Sequence, residues 1–331
     1  MINLSHVLAS FSKFFQYYLF ALILLTLSPF GVLSGNEEMY YGLAKKFLDT
    51  SWNGEYSSFI FSGDYRMISD SLIGSMVIKI GFENTQIIGS FLASLLFSHA
   101  IYKLCKTLEL SNLYGLLSII IFVLLGQSFI GREWLFEDFE AKIFAYYFVI
   151  LGVNHYLKNN LKLMVMFLAI ATYFHLLVGA QWIALLALAI LIYDGKFRIP
   201  TLVMSGYFLL CCPILLVAIS GFYGSGFIQG DDTPSPSYIY SYIRQYKMVL
   251  PFYSLPRFIL QWLPGITIFL GILISFWAIK REPSGHIYQR LRILALSSII
   301  LILVFYWCRF LIGTVLSLNY IPTALLAYCY F

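Results

Sequence analysis

Two neighbouring acids followed by two tyrosines, Glu37-Glu38-Met39-Tyr40-Tyr41, stand just past an apolar run from Phe14 to Leu33. A carboxylate at the rim of an apolar layer is stable when it faces water or a polar ligand. There it can take a proton from a nucleophile or sit beside a developing positive charge. A structural reading competes with this one: Asn36 suits a helix N-cap, and acids in a first helical turn complement the helix dipole. A second constellation is Gly131-Arg132-Glu133-Trp134-Leu135-Phe136-Glu137-Asp138-Phe139-Glu140-Ala141-Lys142, with four acids and two bases. Its acidic candidates are Asp138 and Glu140, the latter favoured because it opens the next apolar run. Arg132 and Lys142 are candidates for holding an anion. Simple solvation of a short loop would also account for this charge. Oxygen ligands from the two constellations could together hold Mg²⁺ or Mn²⁺.

Further cations lie downstream. His175, in Tyr173-Phe174-His175-Leu176-Leu177-Val178-Gly179, is either a helix–helix hydrogen-bond partner or an anion contact at the end of an apolar run. Arg244 and Lys247 are three residues apart, on one face of a helix, and with Arg257 they could grip a phosphate. Snorkelling toward lipid headgroups explains them equally well. The tyrosine-rich stretch 238–253 suits sugar stacking or an interfacial aromatic belt. Arg309, within an apolar stretch, must be paired or face a cavity.

The elements that would carry these residues are apolar helices. The chain has 331 residues, 60% of them apolar and 11% charged. Its mean hydropathy is +0.82, whereas soluble domains carry about a quarter charged residues. Continuous rather than alternating apolar runs exclude a β-barrel and predict an all-α, polytopic transmembrane bundle forming a single domain. Spans are expected near 14–34, 85–104, 111–130, 141–157, 162–178, 180–193, 200–220, 258–279 and 291–313, with a last apolar piece at 315–331. That makes about 9–11 spans, the first read as an uncleaved helix rather than a signal peptide. The net charge of +5 is spread over short basic clusters between apolar runs and is no nucleic-acid signal. The cysteines show neither a disulfide framework nor metal-ligand spacing.

Charge sets the expected orientation. Lys103 with Lys106, Lys158 with Lys162, Lys196 with Arg198, and the cluster Lys280, Arg281, Arg290 and Arg292 belong together on the cytoplasmic side. The opposite side then receives the first loop (35–84), the charged segment 131–140, the turn near His175–Gln181, and a long loop (221–257). For this parity to hold, 67–81 must not cross. Ser71, Ser75 and Lys79 form a polar stripe there, against an apolar face of Leu72, Ile73, Met76, Val77 and Ile80, so the segment reads as a helix lying in the interface. A second such helix is expected over 36–49, with Tyr40, Leu43, Ala44 and Phe47 on one face and Lys45, Lys46 and Asp49 on the other.

The residues Glu37-Glu38-Met39-Tyr40-Tyr41, with Ala44 and Leu48 beyond, resemble the Asp-Glu-x-Tyr-Tyr signature of the GT-C superfamily of membrane glycosyltransferases. In that superfamily the motif follows the first span, in the first external loop. Here, too, a juxtamembrane helix ends in Gly81-Phe82-Glu83 just before the second span, and the resemblance covers about the first 105 residues. The superfamily's first acid is usually Asp, and Glu37 carries its carboxylate one methylene further out. The chain is also similar to a group of bacterial multi-spanning proteins with Asn-Glu-Glu at this place. The resemblance implies transfer of a sugar from a polyprenyl-phosphate carrier to a glycan, lipid or protein acceptor. The reaction would invert the anomeric centre and take place on the outer face of a bacterial inner membrane, among membrane lipids. It further implies that Glu37 is the general base, with Glu38 beside it, that Asp138 or Glu140 forms a second acidic site, and that His175 contacts the carrier phosphate.

The competing expectation is a transporter or flippase for a lipid-linked or small polar solute. That function needs ionisable groups near the bilayer midplane, broken helices and often repeated halves. Here the acids fall almost wholly in loops and no repeat is visible. A non-catalytic scaffold would have no need of the acids.

Overall fold

The computed structural model describes residues 17–26, 32–33, 35–52, 66–124, 139–224 and 285–310, with positions 267, 270, 271 and 274. All regular secondary structure among them is α-helical. In chain order the helices are α1 (17–25), α2 (Gly35–Leu48), α3 (Met67–Ile80), α4 (Phe82–Thr107), α5 (Asn112–Leu124), α6 (Ala141–Leu157), α7 (Leu161–Phe174), α8 (Leu176–Asp194), α9 (Arg198–Gly224) and α10 (Gly285–Phe310). Among the described residues three stretches are long and apolar enough to cross a membrane: α4, α8, and Arg198–Ser220 of α9. The apolar helices α5 and α7 are shorter.

α4 displays the burial pattern of a helix in an apolar solvent. Gln86, Ser90, Ser94 and Ser98 recur at every fourth position and are buried, while Ile87, Ile88, Phe91 and Leu92 face outward. The serines are satisfied within the helix: Ser94 Oγ donates to the Ser90 carbonyl at 2.8 Å and Ser98 Oγ to that of Ser94 at 2.7 Å. Small and polar residues inward with branched apolar residues outward invert the water-soluble rule. This arrangement lets α4 approach α6 closely. α6 is the central helix, buried from Ala141 to Tyr146 and again from Leu151 to Asn154, and it packs on α4, α7 and α8.

α2 and α3 pack on each other, and α3 also meets α4 and α7. Gly74 makes their contact possible, because a Cβ built there would collide with the carbonyl of Ala44. This backbone-to-backbone contact aims α2 differently from expectation. Its fully buried residues are Glu37, Tyr41 and Ala44, so the inward face is rotated away from Tyr40, Leu43 and Phe47, which are half-buried. In α3 the buried residues are Ser69, Ile73, Gly74 and Val77, and the expected apolar face splits, leaving Leu72 outside. α3 has 14 residues, about 21 Å of helix, short of a ~30 Å hydrocarbon core. Gly81 joins it to α4 at φ +85°, a left-handed conformation that glycine alone adopts without strain.

Two other boundaries differ from expectation. The break between the fifth and sixth apolar runs falls at His175, the near end of the expected turn at His175–Gln181, rather than at Gly179. His175 leaves helical geometry, while Gly179 lies within α8 and lets its backbone touch Thr172 of α7. α10 begins at Gly285 rather than near 291, and draws Arg290 out of the expected loop cluster into the core at 3% exposure. The Arg290 guanidinium lies between the rings of Tyr156 (5.1 Å) and Tyr193 (4.4 Å) and donates to the Tyr156 carbonyl (3.2 Å) and Asn159 Oδ1 (2.7 Å). The expected spans at 258–279 and 315–331 lie almost wholly outside the described residues.

The Gly74 contact yields a prediction. Gly74→Ala lowers stability by about 1–3 kcal/mol through overpacking, read as a lower thermal-unfolding midpoint in detergent. Gly206→Ala, whose Cβ meets only Val165 Cγ1 at 3.9 Å, leaves the midpoint unchanged or raises it. Equal behaviour of the two variants would remove the close approach of α2 and α3.

Candidate functional site

Glu37 lies in the first turn of α2 and Glu140 is the residue before α6, 103 positions later in a 331-residue chain, yet the fold brings the two constellations together. Glu37 is fully buried. Its Oε1 accepts the backbone N–H of Phe139 at 2.8 Å and, more weakly, the Tyr41 hydroxyl at 3.4 Å. Tyr41 follows Glu37 by one helical turn, so a single face of α2 supplies the carboxylate and one of its donors. A buried carboxylate costs several kcal/mol unless donors surround it, and here one donor comes from α2 and another from the segment entering α6.

That segment continues the site. Glu140 is the N-cap of α6 in extended conformation (φ −128°, ψ 171°), with no side-chain cap bond. Lys142 stands in the first turn of α6. Both are buried, at 6% and 7% exposure, so solvation of a wet loop does not account for either residue. Phe139, fully buried, sets its ring edge-on to Phe144 at 5.5 Å, and Phe144 stacks on Phe174 at 5.0 Å. The aromatic chain therefore ends beside His175.

His175 closes α7 and opens α8, with Nδ1 accepting the Val178 N–H at 3.4 Å. Part of the residue reaches the surface, but protein packs densely round the imidazole. Burial pushes its pKa down to about 3, and the positive charges of Arg66 and Lys142 push the same way. The ring is therefore neutral near pH 7. Arg66, just before α3, lies over the Tyr40 ring at 4.5 Å with Asp70 at 3.9 Å. Nothing in the sequence singled out Arg66 beyond its Asp70 partner one turn on, and nothing singled out the Phe139 amide, because a backbone donor has no residue-type signal.

The remaining candidates divide in two. Glu38 is exposed, turned away from the buried face of α2 that carries Glu37. Asp138, Arg132, Arg244, Lys247 and Arg257 lie outside the described residues. Among the described residues no group of three or more His, Cys, Asp or Glu converges as metal ligands would. Glu37 and Glu140 contribute two carboxylates. A cavity of about 280 Å³ lies elsewhere, between α1 and α4, lined by Tyr18, Leu22, Leu25, Phe91 and Leu95 among others.

The His175 environment predicts a pH dependence. An unfolded histidine titrates near ~6.5, and the folded ring near 3. Between these values only the unfolded chain binds the proton. The neutral ring's contribution to stability is therefore complete above the unfolded value and declines as pH falls toward the folded one. His175→Asn keeps an acceptor for the Val178 N–H and cannot titrate. Thermal midpoints of the wild type should fall more steeply than those of this variant between pH 7 and pH 4; parallel curves would disprove the assignment.

No protein-family model, no curated protein and no solved structure matches the chain.

Proposed function

We propose that this protein is a GT-C-like membrane glycosyltransferase that moves a sugar from a polyprenyl-phosphate carrier to an acceptor. One observation carries the reading. The acid that follows the first apolar run, Glu37, is buried and hydrogen-bonded to the second charged constellation at Phe139, where Glu140 and Lys142 are also buried. Two charged segments far apart in sequence are thus joined by a buried hydrogen bond, and buried charge of this kind is characteristic of functional sites.

In the proposed reaction Glu37 accepts the proton of the acceptor's hydroxyl or amine. The acceptor's lone pair forms the new bond to the anomeric carbon from the face opposite the carrier. The bond from that carbon to the phosphate oxygen breaks, and the polyprenyl phosphate leaves with the electron pair. Anionic carboxylates favour the oxocarbenium-like transition state. Arg66 and Lys142 supply positive charge that would steady the departing phosphate. Neutral His175, its Nδ1 accepting the Val178 N–H, can donate one hydrogen bond there from Nε2 without adding charge. The rest of the reading is a polytopic bundle of about 9–11 spans in a bacterial inner membrane, with these residues on the outer face.

Incubating the purified protein with sugar-labelled polyprenyl phosphates and a membrane extract as acceptor source tests the proposal, the expected result being loss of carrier-bound label to acceptor. Glu37→Gln should reduce transfer by roughly 10²–10⁴-fold with unchanged expression and thermal midpoint, and wild-type activity in that variant would remove Glu37 as base. Glu140→Gln should lower transfer by orders of magnitude, and an effect below about tenfold would return Glu140 to a structural role. Movement of intact labelled carrier across a vesicle bilayer, without cleavage, would instead support the flippase reading. Orientation is checked separately: a cysteine at Asp64 should label from outside intact cells, and one at Ser284 only after permeabilisation. Reversed labelling would invert the topology.

A further inference from the structure

We propose that Gly89 is a positioning residue for the Glu37 carboxylate: by lacking a side chain it seats the Phe139 ring against α4, and the seated ring fixes the backbone N–H that Glu37 accepts. The inference rests on the reading of Glu37 as proton acceptor. Gly89 is buried on the inward face of α4, one residue before Ser90 in the polar stripe. A Cβ built on it would overlap Cγ, Cδ1 and Cε1 of Phe139, so the ring occupies the very space that any other residue would fill. That ring is fully buried and held on another side by Phe144 at 5.5 Å. It has no room to swing aside, because buried rings sit in close-packed surroundings. An added methyl therefore displaces the backbone that carries the ring. The 2.8 Å bond from the Phe139 N–H to Glu37 Oε1 is the first interaction to feel that displacement, since such bonds weaken steeply beyond about 3.2–3.5 Å.

Glycine in the middle of a helix is disfavoured by ~1 kcal/mol relative to alanine, which a packing or functional reason must offset. Gly89 has a packing reason, and that packing leads directly to the acid. The Tyr41 hydroxyl and the Phe139 N–H meet the carboxylate; Glu140 and Lys142 follow Phe139 on the segment entering α6, and Arg66 and Lys142 act on His175 between α7 and α8. Replacing Gly89 alters none of them chemically. Loss of the amide donor has a signature that mere destabilisation lacks: a carboxylate deprived of an N–H donor is harder to ionise.

The test compares pH–rate profiles for transfer from a labelled polyprenyl-phosphate sugar by the wild type, Gly89→Ala and, as control, Gly206→Ala, each reconstituted in lipid vesicles. Gly89→Ala should lower kcat roughly 10–100-fold with KM little changed, and move the acid limb to higher pH, while Gly206→Ala changes neither. A lowered kcat with an unmoved limb, or no change at all, overturns the inference while the transferase reading stands. Absence of transfer by the wild type overturns both. If Gly89→Ala does not insert, Phe139→Ala takes its place: it keeps the N–H and releases the ring, so the limb should move in the same direction, and an unmoved limb overturns the inference.

Discussion

A carboxylate with no solvent exposure has to be bonded, and in this bundle that requirement ties two distant parts of the chain together. From α2 the Tyr41 hydroxyl reaches Glu37 at 3.4 Å, a long hydrogen bond. The stronger donor is the Phe139 N–H, and it exists only when the segment entering α6 is in place. Phe139 in turn requires the bare flank of α4 at Gly89 and the Phe144 ring on α6. The α2–α3 pair is thereby anchored to the helical body through a polar contact surrounded by aromatic packing. Removing either partner strands a buried polar group, whose cost exceeds the modest net gain of an ordinary hydrogen bond.

The same economy governs polar groups elsewhere. The serines of α4 bond to carbonyls one turn back, so they face α6 without needing partners on it. Thr172 on α7 pairs with the Tyr207 hydroxyl on α9 at 2.6 Å. Apolar side chains are spread over the outer surface of α4 and α9, with Leu209 78% exposed. Close backbone approach at Gly74 and Gly179 and a few buried bonds add to a buried apolar core that includes Phe97, Ile143, Leu168 and Leu186.

Helix positions were legible because apolar runs and their breaks are local. The run expected at 141–157 is α6, Ala141–Leu157, and that at 200–220 falls within α9. Rotation about the helix axis was not legible. Tyr40 and Tyr41 are equally amphipathic in isolation, and only the Ala44–Gly74 contact decides that Tyr41 and Glu37 turn inward. The break at His175 was displaced to Gly179 because glycine is the stronger local punctuation, whereas here it permits close packing and the histidine caps. Burial of Glu140 and Lys142 contradicts the ordinary meaning of a charged loop, which no window of sequence can reveal. Arg290 was assigned to a basic cluster on charge alone; its aromatic surroundings come from α6 and α8.

That arginine has a consequence for how the molecule is built. Its two flanking rings belong to helices made well before it, Tyr156 being 134 residues upstream. Chains emerge from the N-terminus onward, so both rings are synthesised before the guanidinium they flank. A planar cation that stacks and donates in a fixed fork suits such a slot in a way that a flexible ammonium does not. Arg290 thus keys α10 to α6 and α8, beside the Tyr288 hydroxyl on the Leu108 carbonyl and the buried Leu294.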